Sequence, residues 1–479
     1  MHSARAAKIG LNNQITVHAE LVEVCAHGKS RTDINYVTEN KTLIIIGRGD
    51  VMNRCFRAKI AVFSFIAISG IFSAGFSGGL WLYENGTPET GTAGVGYPAR
   101  AQDAATVYGN PAGMTRLNGL NYMGGAPIAA LTTRFSVDSA TFGGVGGGNA
   151  GSTRLSYGLY YENQPLPKSF PGLRTGFNTN SYVDEILDYA DNWAGRFYTQ
   201  KTELQTLHSS TSAAYPITPW FSIGAGFNTI YGKLKQRAAV NNGPDTTNGQ
   251  ISIEAYNMSA GGNAGVLFLP LSNLRFGATY RSPINLRFRS ALGITNVNFA
   301  LIDTLVRRGA VGKTYHLDLR VPQEIAAGFY MDLASQIAIM ADWNWQDWSN
   351  FRQFEFEAPS DTASSLVFKP KLKDTYHVGV GFHFRPLPPL TLMTGFSWDS
   401  SPISDSSRTP NFPLDRQFRY AGGIEYYITH WFIVGGSYEY ISLGKAQINQ
   451  VRGPLVGALI GHYSTNRVNV FNVYAKGWL

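Results

Sequence analysis

A few groups of residues have the types and spacing from which chemistry could be built. Gly75-Phe-Ser77-Gly-Gly79 matches the Gly-x-Ser-x-Gly pattern of a nucleophile elbow, in which a strained strand-to-helix turn raises a serine for attack on a carbonyl. No strand pattern precedes it, so the match carries no catalysis. Gly146, Gly148 and Gly151 have the spacing of a dinucleotide loop, but no helix follows to receive a phosphate, and the stretch reads as a flexible loop. The nine histidines show no metal-binding spacing such as His-Glu-x-x-His. The two cysteines, Cys25 and Cys55, both lie early in the chain. Arg196, Lys233 and Lys235 are basic residues in or beside polar connections and are candidates for holding a carboxylate; solvated surface charge is the alternative. The chain is therefore expected to be no enzyme and to need no cofactor or metal.

Chemistry gives way to architecture once the composition is considered. The chain has 479 residues, 44% apolar but only 15% charged, with 52 Gly, 25 Tyr and 28 Phe. Ordinary soluble domains carry about 25% charged residues. Low charge with many aromatics and glycines excludes a disordered chain, a coiled coil and a helical bundle. No apolar run approaches the ~18 residues of a membrane-crossing helix. A large all-β protein remains, and the composition suits a membrane-spanning antiparallel β-barrel. The net charge is +8. About half of that excess lies before residue 60 and no basic run follows, so no nucleic-acid partner is expected.

Arg54, Arg57 and Lys59 precede the apolar stretch Ile60–Phe72, and small residues Ser73 and Ala74 follow. This is the order of a secretory signal. Met52 just before the basic residues is the expected start of translation. The sequence thus divides into a mis-assigned extension, 1–51; a signal peptide, 52–73; a non-alternating segment, 74–119; and a barrel, 120–479. Cleavage near Ser73/Ala74 would leave a mature chain without cysteine, and hence without disulfides.

Beyond residue 120 the segments alternate with period two, the signature of a strand. Phe221, Ile223, Ala225, Phe227 and Tyr231 share one face; Ser222, Gly224, Gly226 and Asn228 share the other. The runs are longer than the five or six residues typical of a strand, roughly, and suit tilted membrane crossings. Short turns, such as Pro216–Pro219, Pro270–Asn273 and Ile428–His430, alternate with long polar connections. Fourteen strands are predicted, near 120–136, 152–162, 170–183, 201–215, 219–238, 250–269, 273–290, 317–332, 336–357, 373–385, 389–401, 414–427, 431–445 and 463–479. An even number returns the C-terminus to the short-turn side. The lumen of such a ring is wide enough to need filling, and the Gly- and Ala-rich segment 74–119 is a suitable plug.

That segment carries a pattern. Gly79-Leu-Trp-Leu-Tyr-Glu84-Asn-Gly, Gly91-Thr-Ala-Gly94 and Ala101-Gln-Asp103-Ala-Ala-Thr-Val-Tyr-Gly-Asn110-Pro111-Ala112-Gly113-Met114 resemble the plug of the FadL/TodX family of outer-membrane transporters. Trp193-Ala-Gly-Arg196-Phe197, Gly232-Lys-Leu-Lys-Gln236 and Gln346-Asp-Trp-Ser349 also resemble that family. The resemblance implies a fourteen-stranded barrel with an N-terminal hatch. Within the hatch it places Asn110, Pro111 and Ala112, with Glu84 and Asp103 as charged anchors. It implies a kink in the third strand that opens a lateral exit; Gly172 and Gly176 in that strand are the candidates for the bend. Departures from the family are Gln102-Asp103, where two acids are common, and Leu479 as the last residue, with Trp478 before it.

The resemblance implies passive uptake of long-chain fatty acids or other hydrophobic small molecules across the outer membrane of a Gram-negative bacterium. Expected partners are the hydrophobic ligand, outer-membrane lipid and lipopolysaccharide, with the chain a monomer. The alternatives are a general aqueous porin and an outer-membrane barrel enzyme. A sixteen-carbon chain would resist a water-filled pore by on the order of 10 kcal/mol, at about 0.8 kcal/mol per methylene. A carrier of such cargo must offer apolar surface along its path.

Overall fold

A computed structural model describes residues 83, 85–155, 159–165, 170–181, 185–243, 247–307, 311–312, 314–351, 371–452 and 456–479. The proposed extension, the signal peptide and Glu84 lie outside the described residues.

The strands in chain order are β1 (Asn121–Ala140), β2 (Thr153–Leu155), β3 (Leu159–Pro165), β4 (Arg174–Asn180), β5 (Glu185–Asp188), β6 (Lys201–Thr218) and β7 (Phe221–Val240). Next come β8 (Gly249–Leu271), β9 (Leu274–Arg281), β10 (Ile284–Ala291), β11 (Gly293–Thr295), β12 (Thr314–Val321), β13 (Glu324–Ala334) and β14 (Ile337–Gln346). The last are β15 (Thr375–Leu387), β16 (Leu390–Asp399), β17 (Gln417–Thr429), β18 (Phe432–Ser442), β19 (Ile448–Arg452) and β20 (Gly457–Trp478).

Eighteen of these segments form one sheet. Four of them, β2, β5, β11 and β19, extend or flank other strands. The other fourteen close a ring of antiparallel ladders, with β20 pairing β18 on one edge and β1 on the other. Closure removes the exposed edges that a membrane could not satisfy. No helix among the described residues is long and apolar enough to cross a membrane.

The period-two pattern becomes an outer and an inner face. Phe227, Tyr231, Tyr256, Met258, Phe276, Tyr280, Val378 and Val473 are exposed on the outer wall. Thr206, His208, Ser210 and Ser212 of β6 are buried on the inner one. Polar side chains inside and apolar ones outside is the inversion expected of a barrel solvated by lipid.

Several predicted strands are corrected by prolines and by polar ends. The predicted strand 273–290 breaks at Ser282-Pro283, giving β9 and β10, and 317–332 breaks at Pro322-Gln323, giving β12 and β13. Proline has no N–H for the ladder. Above these breaks β10 and β12 leave the main sheet as their own hairpin. The predicted strand 336–357 ends at Gln346, where Trp348–Asn350 turns into a 3-10 helix. The connection at 291–316 holds a helix, α1 (Phe299–Arg307).

The segment 85–119 has no strand. It contains 3-10 turns at Pro88–Thr92 and Pro111–Arg116 and a single helical turn at Thr106–Gly109. The first 3-10 turn touches β15, β16, β17 and β18; the second touches β4, β6, β7 and β8, far round the ring. The segment therefore spans the lumen from wall to wall, and most of its residues are buried.

Candidate functional site

The Asn-Pro-Ala motif can be read atom by atom. Asn110 caps the 3-10 turn Pro111–Arg116, and its Oδ1 accepts the Ala112 N–H at 3.1 Å. Pro111 at the first position has no N–H to leave orphaned. The Asn110 amide donates to the carbonyls of Pro98, 2.6 Å away, and of Val266 in β8, 2.9 Å away. One side chain thus folds the hatch locally and ties it to the wall. Ala112 is fully buried, and a Cβ at Gly224 of β7 would stand 2.5 Å from its nitrogen.

Glycine on the inner wall is what lets the hatch backbone come this close. A Cβ at Gly265 would overlap Asn110, one at Gly277 the Pro98 carbonyl, one at Gly395 Thr92, and one at Gly125 Gly86. These positions come from four strands around the ring, β8, β9, β16 and β1. These inner-wall glycines together form a seat for the hatch.

Charge fixes the hatch further. Arg100 pairs with Glu89 at 2.7 Å and with Asp103 at 2.9 Å, all three within the hatch. Asp103 then accepts from Lys476 of β20 at 3.0 Å, and Lys476 pairs with Glu425 of β17. The Tyr474 hydroxyl donates to Glu425 at 3.0 Å. Burial alone would raise the Asp103 pKa, but Arg100 and Lys476 reverse that and hold the carboxyl well below the usual carboxylate range. A buried chain of alternating charge thus runs from the hatch into the last strand.

A second anchor lies at β9 and β13. Arg281 pairs with Glu324 at 2.9 Å and donates to the Tyr108 carbonyl at 2.8 Å, while the Tyr97 hydroxyl donates to Glu324 at 3.0 Å. The Gly96 N–H donates to Asp342 of β14 at 2.6 Å. Tyr83 receives hydrogen bonds from Asn344 at 2.9 Å and Gln346 at 3.1 Å. Of the barrel partners Lys476, Glu425, Arg281 and Glu324, none was singled out by sequence. The signal was present for Lys476: it falls on the same strand face as Tyr474 and Asn472, which points inward.

Above the hatch the lumen is apolar. Leu204, Ile230, Leu234, Ile253, Leu286, Phe288, Leu317 and Leu319 are buried and belong to one apolar cluster. Aromatic residues of the long loops complete it. Trp193 stacks on Tyr189 with ring centroids 4.1 Å apart, and the Tyr189 and Tyr463 hydroxyls are 2.6 Å apart. Trp348 and Phe412 are also buried there. Below the hatch, towards the short turns, lies a polar vestibule of about 220 Å³ beside Asp103, His383, Arg385, Glu425 and Lys476. The two sides of the hatch thus differ in polarity.

The basic candidates lie elsewhere. Arg196 spends its guanidinium on the carbonyls of Phe142, Gly143 and Trp193, each 3.1 Å away. Lys233 and Lys235 lie on the lipid-facing side of β7 with Tyr231, where Lys233 pairs with Glu203 at 2.7 Å and Lys235 with Glu254 at 3.1 Å. None of the three is brought to the apolar lumen.

The third strand places its two glycines differently. Gly172 lies in the turn before β4, with φ +83°. Gly176 sits in a regular ladder between β3 and β6, where a Cβ would collide with Val107 and Met114 of the hatch. β4 pairs with β6 as far as Asn180, opposite His208, and β5 pairs with it from Glu185, opposite Leu204. Among the described residues β5 pairs with β6 and β2 with β1. Among the described residues no ladder joins the second and third strands there. No cluster of His, Cys, Asp or Glu among the described residues has the makings of a metal site.

Comparison with known proteins gives one consistent result. Residues 68–476 match the family described as outer membrane protein transport protein (OMPP1/FadL/TodX). The chain is similar to the long-chain fatty acid transport protein of Escherichia coli O6:H1, with 26% identity over 393 residues, 75% of this chain and 86% of that one. It is also similar to outer membrane protein P1 of Haemophilus influenzae, with 22% identity, over 84% of this chain and 93% of that one. A solved Pseudomonas aeruginosa FadL homologue superposes with a TM-score of 0.74 at 16% identity, covering 84% of this chain and 100% of that one. The Ralstonia pickettii toluene transporter TbuX gives 0.54 at 15% identity, over 82% and 97%. At such identity the structures share the fold.

Proposed function

The chain belongs to the OMPP1/FadL/TodX family of outer membrane transport proteins, and from that premise we propose that it takes up long-chain fatty acids or other hydrophobic small molecules passively across the bacterial outer membrane. The observation that carries this reading is the apolar lumen stacked on a bolted hatch. Its buried leucines, isoleucines and aromatics give the lumen above the hatch apolar surface. An apolar chain can replace such contacts without the desolvation cost of a wet pore. The relatives' names point the same way, one to long-chain fatty acids and one to toluene.

Within this reading Asp103, Asn110, Pro111 and Ala112, with Glu84, act as the hatch, and the third strand, with Gly172 and Gly176, is the way out towards lipid. The cargo leaves through the wall while the polar vestibule below stays closed to it. The barrel works as a monomer and performs no catalysis. Arg196, Lys233 and Lys235 play no part in holding a carboxylate, since their donors are taken by carbonyls or acids.

Purified protein in proteoliposomes tests the reading. Uptake of labelled palmitate or toluene should exceed that of a polar solute of equal size, while steady ion conductance stays low. Steady conductance without preference for apolar solutes would establish a porin instead. For the exit, cysteines placed on β4 are cross-linked to the neighbouring strands β3 and β6 in a Cys25→Ser, Cys55→Ser background. Full-rate transport with the strand locked on both sides would sink the lateral route.

A further inference from the structure

The hairpin of β10 and β12 turns one face inward and one outward. Ile284, Leu286, Phe288, Leu317 and Leu319 are buried in the apolar lumen. On the outer face stand Arg287 and Arg289, both exposed, and Arg320, half-buried. Opposite them in register are Asp318, His316 and Asn285. None of the three arginines has a side-chain hydrogen bond or ion pair among the described residues, and the Arg320 Nε is buried without a partner. The neighbouring strand is different. There Lys233 and Lys235 are neutralised by Glu203 and Glu254.

Height on the barrel places this patch. The Arg287 N–H donates to Asn257 Oδ1 at 3.1 Å, and the Ser290 hydroxyl donates to the Glu254 carbonyl at 3.1 Å. The hairpin thus stands beside Glu254–Asn257, where exposed Tyr256 stacks on Tyr231. Exposed tyrosines of this kind mark the boundary between hydrocarbon and headgroups. Three guanidinium groups at that level, facing away from the lumen and against one unpaired carboxylate, Asp318, match the charge and planar geometry of phosphate.

We propose that Arg287, Arg289 and Arg320 bind the phosphate groups of a phosphorylated glycolipid in the outer leaflet, holding a lipid A headgroup against the wall. The buried face of the hairpin fixes the arginines in position. The site lies outside the lumen and is independent of what the barrel carries.

The test uses full-length protein in mild detergent with three probes: bisphosphorylated lipid A, lipid A stripped of phosphate, and inorganic phosphate alone. Native mass spectrometry or fluorescence titration reads binding. Parent protein should hold the bisphosphorylated form at least tenfold more tightly than the stripped form. The combined variant Arg287→Gln, Arg289→Gln, Arg320→Gln should lose roughly fivefold for each arginine removed, while Lys233→Gln with Lys235→Gln stays within about twofold of parent. Heat-modifiable gel migration shows whether each variant is folded, and the comparison of the lipid forms on the parent needs no variant. Equal binding of stripped and bisphosphorylated lipid A overturns the proposal. So does a folded triple variant that binds like the parent, a lysine pair variant that loses as much as the triple, or complete displacement by inorganic phosphate at the same concentration as the lipid.

Discussion

Lys476 and Asp103 are 373 positions apart in sequence, yet Nζ of the one lies 3.0 Å from Oδ2 of the other, with both side chains buried. The contact joins the last strand to the hatch. Asp103 also carries Arg100, and Lys476 also carries Glu425, so losing one member leaves its neighbours buried without balance.

Asp103→Ala should therefore loosen the hatch. Removing one partner of a buried ion pair costs about 3–5 kcal/mol. The fourteen-strand ring does not depend on this contact and should still assemble, as heat-modifiable migration would show. Planar-bilayer recordings should show higher conductance than the parent. Conductance and uptake identical to the parent would count against a docking role.

The pH dependence has a definite sign. The Asp103 carboxyl titrates below its ordinary 3.8 in the folded protein, because Arg100 and Lys476 outweigh its burial. Its contribution to hatch docking is then fully present above 3.8 and fades as pH falls through the lower folded value. Conductance should stay low and flat from about pH 8 to about pH 5 and rise only in stronger acid. In Asp103→Asn that acid step should vanish. A rise centred near neutral pH would assign the hatch to other groups.

Two glycines of the barrel, Gly277 facing inward and Gly422 facing outward, should behave differently. A Cβ at Gly277 would overlap the Pro98 carbonyl, whereas one at Gly422 would meet only the Met393 carbonyl at 3.7 Å. Gly277→Ala should displace the hatch at a cost of about 1–3 kcal/mol, as overpacking usually does. Gly422→Ala should be silent. Limited proteolysis within 85–119 in the assembled barrel reads the difference; equal cleavage in both variants would contradict the seat.

Most of the barrel is legible in the sequence because membrane strands are long and strictly periodic. β7 runs Phe221–Val240 against a predicted 219–238, and β8 runs Gly249–Leu271 against 250–269. The same parity, applied to charges, would have placed Lys233 and Lys235 outside, since they share the face of Phe227 and Tyr231. What period two does not contain is contact across the lumen. Asn110 is readable as a turn former, but its bond to Val266 depends on how the hatch folds back.

The apolar lumen gives a further expectation. Leu286 is fully buried there, while Asn285 beside it is exposed. Replacing a buried leucine by a polar residue removes about 2 kcal/mol of apolar contact, so Leu286→Ser should slow uptake of an apolar solute roughly tenfold at equal barrel content. Asn285→Ser should not change it. An unchanged rate in Leu286→Ser would move the path away from this wall.

The seam of the ring bears on how the molecule is made. Leu120 and Leu479 exchange backbone hydrogen bonds at 3.1 and 2.9 Å, just where the hatch enters the first strand. β20 zips the ring shut against β1 and also delivers the ammonium that Asp103 needs. A barrel still open at β20 has neither its final ladder nor its hatch's cation. Pairing of the C-terminal strand therefore closes the ring and supplies the hatch's cation from one and the same strand.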